Sequence, residues 1–90
     1  MVDSKEPFSE RGAVDIVAAI LEASVEETRK TTIMFKAQLS FRQLYTYLPW
    51  LVNHRYLEVC INQGFEIYKI TEKGTAYLET YRLLKAILKS

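Results

Sequence analysis

The stretch Thr31-Thr32-Ile33-Met34-Phe35-Lys36-Ala37-Gln38-Leu39-Ser40, continuing into Phe41-Arg42-Gln43-Leu44-Tyr45-Thr46-Tyr47-Leu48-Pro49-Trp50-Leu51-Val52, decides how this chain is read. Ile33, Met34 and Ala37 recur at helical spacing and give a short helix its buried side, before a break at Gln38 and Leu39. Thr28 is the capping candidate for that helix, which the pattern makes about three turns long. Ser40 then caps another helix, because a serine oxygen accepts an unpaired first-turn N–H, and its apolar stripe is Phe41, Leu44, Leu48, Leu51 and Val52. Two helices therefore meet across a tight turn.

Outward from this pair, Ala13, Ile16, Val17, Ile20 and Leu21 mark an earlier helix between Arg11 and Ser24, with Asp15 and Glu22 on its opposite side and Ser9 able to cap it. Downstream, Leu57 to Ile61 and Phe65 to Ile70 alternate as strands do, and Asn62-Gln63-Gly64 between them includes a glycine for the positive φ of a tight turn. Thr71 caps a last helix, Glu72 suits its first turn, and apolar periodicity runs from Ala76 to Leu88. The order is helix, helix, helix, strand, strand, helix: an α+β fold, mostly α, of the winged helix-turn-helix arrangement. It comprises three helices, a two-stranded β-hairpin wing and a C-terminal dimerisation helix. The expected division is a flexible N-terminal arm over 1–8, a binding domain over 9–71 and a dimerisation helix over 72–90.

Composition narrows the function classes. Ninety residues hold a single core, and with 3 Gly and 2 Pro the chain is neither disordered nor collagen-like. One Cys (Cys60) and one His (His54) provide neither a disulfide framework nor zinc-ligand spacing. The longest apolar run, Ile16 to Leu21, is six residues, against the roughly 20 needed to cross a bilayer. The polar, acidic start has no signal-peptide pattern, so a cytoplasmic protein is expected. There is no Gly-rich phosphate loop and no nucleophile beside a basic partner, so the expectation is no enzyme, no cofactor, no metal and no small-molecule substrate.

Charge is uneven along the chain although the formal net charge is only +1. Residues 1–27 carry seven acids against Lys5 and Arg11, a net of −5, while residues 28–57 carry Arg29, Lys30, Lys36, Arg42 and Arg55 with no acid, a net of +5. An acid-free window of this kind points to an anion-facing surface, the plain alternative being a solvated face.

Two segments carry a family resemblance. Ile33 to Ser40 with Leu44, Leu48, Leu51 and Tyr56-Leu57-Glu58-Val59 resembles the helix-turn-helix core of prokaryotic transcriptional regulators, and Tyr68-Lys69-Ile70-Thr71-Glu72-Lys73-Gly74 looks like their strand-to-helix junction after the wing. Over about residues 11–88 the chain resembles the archaeal winged-helix family of small DNA-binding proteins that dimerise through a C-terminal antiparallel coiled coil, with Thr31 to Ser40 the most telling segment. The resemblance implies double-stranded DNA as partner and a homodimer, in a nucleoid-associated setting. This chain departs from the family at Arg55, where glycine is common and a left-handed residue is expected at His54 or Arg55, at Pro49 inside the third helix, and in the short last helix.

The candidate DNA-binding residues follow from helix geometry. On the third helix Arg42, Gln43, Thr46, Trp50 and Asn53 point away from the stripe, with Tyr45 and Tyr47 at its margins. Arg42 is matched to guanine and Gln43 to adenine, while Tyr45 and Thr46 suit phosphates or a thymine methyl. Ser40 lies at the same helix end. Arg29, Lys30 and Lys36 are backbone contacts, and Asn62 and Gln63 form a wing tip without cations. Trp50 and Tyr47 are expected to pack on a neighbouring element or a second chain, His54 to end a helix, and Cys60 to be structural. On the last helix Tyr77, Tyr81, Leu84 and Leu88 form the dimer stripe, flanked by Ala76, Leu83 and Ile87. The reading is a dimeric, sequence-reading DNA-binding protein, a small transcriptional regulator. Its alternatives are a winged-helix protein-interaction module of transcription machinery and a nonspecific chromatin-like DNA-binding protein.

Overall fold

The structure, a computed structural model, describes residues 11–89. It contains α1 (Ala13–Ala23), α2 (Lys30–Lys36), α3 (Phe41–Asn53), β1 (Leu57–Asn62), β2 (Phe65–Ile70) and α4 (Glu72–Lys89). The expected arm over 1–8 and the Ser9 cap lie outside the described residues. Gly12 holds the N-cap position instead, its N–H donating to Asp15 Oδ2 at 3.0 Å. At the other end of α1, the buried Ser24 hydroxyl donates to the Ile20 carbonyl at 2.8 Å, and the Ser24 carbonyl accepts from the Ile70 N–H at 2.9 Å.

α2 is shorter than its pattern suggests, seven residues and two turns rather than three, and Thr28 does not cap it. Arg29 occupies the cap position, while Thr28 pairs antiparallel with Tyr68, their two backbone bonds measuring 3.0 and 2.7 Å. An extended residue bonded on both sides to a strand cannot also enter the helix, so the wing takes what the helix loses.

Both helices of the pair end in the same way. Gln38 after α2 and Arg55 after α3 have φ of 56° and 68°, and the following N–H groups fold back: Leu39 to the Met34 carbonyl at 2.9 Å, Tyr56 to the Leu51 carbonyl at 2.9 Å. These are Schellman caps on non-glycine residues. Arg11 adds to the first, its guanidinium donating to the carbonyls of Ala37 and Gln38. α3 runs without a break through Pro49.

The core is a single cluster in which Ile20, Leu21, Ile33, Leu44, Leu51 and Leu57 are almost wholly buried. Phe41, expected in this stripe, is 66% exposed. It is the first residue of α3, and its ring lies along that of Tyr45 one turn on, with centroids 6.2 Å apart, rather than entering the core. In the hairpin, Asn62 pairs with Phe65, so the connection is two residues, Gln63 and Gly64, with φ of 53° and 83°. Two successive positive φ values define a type I′ turn, the one whose twist matches paired strands.

Thr71 caps α4 by accepting from the Gly74 N–H at 3.1 Å, and its hydroxyl donates to the Arg55 carbonyl at 2.6 Å. Gly74 has a steric reason: a Cβ there would sit 2.4 Å from the Tyr56 carbonyl oxygen and 2.7 Å from the Ile70 side chain. α4 then lies on α1. Leu78 is buried, Tyr77 donates to the Val14 carbonyl at 2.8 Å, Tyr81 donates to Asp15 at 2.5 Å, and Arg82 pairs with Glu22. Beyond Tyr81 the helix extends past the core, with Leu83, Leu84, Ile87 and Leu88 exposed.

Candidate nucleic-acid interface

The acid-free window folds into α2, the turn and α3, and the Thr28–Tyr68 pair draws the wing against the start of α2. Arg29 and Lys30 therefore face the hairpin. The Arg29 guanidinium lies 3.7 Å from the centre of the Phe65 ring, and Lys30 Nζ sits 5.5 Å from the centre of the Tyr45 ring and 3.9 Å from Glu66. Glu66 also accepts a hydrogen bond from the Tyr68 hydroxyl at 2.8 Å. Burial, and then this bond to a carboxylate, push the Tyr68 phenol up to about 12. Between α3 and the wing runs an open groove of about 320 Å³ whose lining includes Lys30, Tyr45, Pro49, Asn53 and Glu66.

The structure thus brings together Arg29, Lys30 and Tyr45 of the expected residues. Asn62 and Gln63 are exposed at the wing end, Asn62 as the last paired residue of β1 and Gln63 inside the turn. Arg42 and Lys36 are exposed and, among the described residues, make no ion pair; neither lines the groove.

Ser40 and Gln43 are engaged with each other. The Gln43 N–H donates to Ser40 Oγ at 3.1 Å, and Gln43 Oε1 accepts from the Ser40 N–H at 3.1 Å, a reciprocal capping box. Bidentate recognition of adenine uses both ends of the glutamine amide. In this structure the oxygen end of Gln43 is engaged at the start of α3. The Thr46 hydroxyl is also engaged, donating to the Arg42 carbonyl at 2.7 Å.

Trp50 stacks on the end of its own helix and the connection after it, in a ladder of rings: 4.1 Å from His54, 5.8 Å from Tyr56, and from Tyr56 edge-on to Tyr77 of α4 at 5.8 Å. Lys73 of α4 closes it, with Nζ 4.5 Å from the centre of the Tyr56 ring and donating to the His54 carbonyl at 2.9 Å. This ladder fastens the end of α3 to the start of α4. Cys60, expected to be structural, is an exposed free thiol on the hairpin. Tyr77 and Tyr81, expected at a dimer contact, spend their hydroxyls on α1 of the same chain, whereas Leu84 and Leu88 remain exposed.

Sequence reading missed Phe65 and Glu66. The strand period contained the signal for Phe65: it lies three positions before Tyr68, an odd step, so if one faces the core the other faces away. Glu66 needed the Thr28 pairing, which fixes where Lys30 lies.

The sequence matches the winged helix-turn-helix family over residues 10–89. The chain belongs to that family. Among solved structures it is similar to Sso10a-2, a DNA-binding protein from Sulfolobus solfataricus, at 25% identity and a TM-score of 0.80, covering 88% of this chain and 83% of that one. TubR bound to 24 bp of tubC, from Bacillus thuringiensis serovar israelensis pBtoxis, shares the fold at 17% identity and a TM-score of 0.68, covering 77% of this chain and 81% of that one. Among curated proteins none matches this winged-helix chain in sequence.

Proposed function

We propose that this winged-helix chain binds double-stranded DNA as a homodimer and acts as a small transcriptional regulator, by occupying its site rather than by chemistry. The observation that carries the reading is the acid-free segment of net charge +5, whose Arg29 and Lys30 share one edge with the exposed Tyr45 of α3 and the wing. Sso10a-2 is described as a DNA-binding protein and TubR was captured on DNA, which supports the same partner here. In this reading the first half of α3 enters the major groove, Arg42 reads a guanine, Tyr45 and the Thr46 methyl flank it, and Arg29, Lys30 and Lys36 meet phosphates. Ser40 and Gln43 hold the helix end that approaches the DNA. Asn62 and Gln63 reach toward the adjacent groove.

Leu84 and Leu88, with Leu83 beside them, support a contact between two α4 helices, since exposed apolar side chains at helical spacing are removed from water by a second copy. Selection of bound sequences from random duplex DNA at defined salt tests the whole reading. Enrichment of an inverted repeat is the expected result, because protein two-fold symmetry is mirrored in half-sites. Recovery of no preferred sequence, with affinity independent of salt, would reject it.

A further inference from the structure

Three large rings at the interface face solvent where a folded core would normally hide them: Phe41 is 66% exposed, Tyr45 56% and Phe65 48%. They are connected. Phe41 and Tyr45 lie nearly parallel, 11° apart, Lys30 reaches over Tyr45, Lys30 contacts Glu66 next to Phe65, and the Arg29 guanidinium lies over the Phe65 ring. A strip of rings and cations therefore runs from the start of α3, past the start of α2, to the wing.

Duplex DNA offers such rings only the edges of its bases, not their faces. Its base faces are covered by their neighbours, and a protein in either groove meets only base edges, sugars and phosphates. Flat rings and a guanidinium plane gain most from an uncovered base face, while the cations beside them hold the phosphates between successive bases. Most of the strip belongs to the segment of net charge +5, which matches a polyanion rather than an apolar protein surface. Its one carboxylate, Glu66, is already held by Tyr68 and Lys30.

We propose that this strip is a stacking track for the unpaired bases of single-stranded DNA, so that the protein holds an opened strand as well as a closed duplex. The proposal rests on DNA being the partner, and the test separates the two. Fluorescence anisotropy of the full chain is measured at one salt concentration with labelled oligo(dT) of about 20 nucleotides and with a mixed-sequence duplex of equal length, a span that covers a typical single-strand site. The expected result is that oligo(dT) binds within about tenfold of the duplex. Phe41→Ala should weaken oligo(dT) by roughly 5–100-fold, the loss of one stacked base, and change duplex binding far less. Phe41→Trp should restore the single-strand affinity.

Phe41 contributes little to the core, so its variants remain folded, and Phe65→Ala provides a second, independent ring. Duplex binding without oligo(dT) binding overturns the stacking track and leaves the duplex reading standing. Equal losses on both DNAs in both ring variants also overturn it. Binding of neither DNA by the wild-type chain rejects the track and the DNA reading together.

Discussion

Gln38 shows how much a single backbone angle determines here. Its φ of 56° closes α2 and starts the turn into α3, yet the residue has a Cβ that disfavours this region. Gln38→Gly should raise the unfolding free energy by about 0.5–1 kcal/mol, the relief exceeding the glycine's added chain entropy. A higher urea midpoint at unchanged slope would record it. Arg42 tests function at the same scale: exposed and without an ion pair among the described residues, it should change affinity and not folding. Arg42→Ala should cost about 1–3 kcal/mol on sequences that place guanine beneath it and little on others, measured by titration of paired duplexes. Asp15 gives a pH dependence. Hydrogen bonds from Tyr81 and then Gly12 hold its carboxyl below the ordinary 3.8, so the folded state favours the ionised form. That stabilisation is present above about pH 4 and lost as pH falls through the lowered value. Asp15→Asn should flatten the acid limb of a plot of melting temperature against pH.

At the level of the element, Gly74 is the position where α4 can least tolerate a side chain. Alanine normally favours a helix interior, but here the added carbon would press on the Tyr56 carbonyl and Ile70. Gly74→Ala should lower stability by about 1–3 kcal/mol, seen in denaturant unfolding, the clash outweighing propensity. Elements were also where the sequence was most and least legible. The stripe Leu44, Leu48, Leu51 and the Ser40 cap identified α3, because burial and capping are both written in local spacing. The hairpin and the Thr71 cap were legible for the same reason. Thr28 was not, since its type suits either a cap or a strand and only the distant Tyr68 decides between them. Phe41 fitted the apolar period and still lies outside the core, because periodicity says which side a residue faces but not where the core ends. Ser40 and Gln43 stand three residues apart, the spacing of a capping box, a local signal that the match of Gln43 to adenine leaves out.

For the molecule as a whole, the last turns of α4 are where the proposed dimer is tested. Tyr77 and Tyr81 hold the first half of the helix to α1, while Leu84 and Leu88 stay exposed. The double substitution Leu84→Glu with Leu88→Glu should convert a dimer into a folded monomer in sedimentation at micromolar concentration. If wild type is already monomeric there, the α4 contact is wrong. The same variant should reduce the salt slope of DNA binding to about half, because each chain supplies its own phosphate contacts. The uneven charge also finds its explanation at this scale: part of the acidic first third, Asp15 and Glu22, meets Lys85 and Arg82 of α4 and so neutralises the far end of the chain rather than the cationic middle.

The pair of backbone bonds between Thr28 and Tyr68 makes the hairpin and the first turn of α2 one lever. Any tilt of the wing must carry Arg29 and Lys30 with it, so in the proposed complex the hold of these two cations on DNA and the attitude of the β-ribbon would change together. The amide protons of Thr28 and Tyr68, which make the two bonds, should then exchange with solvent at a common rate, slower than those of Arg29 and Lys30 at the unbonded start of α2, and slow further in step when a strand is held.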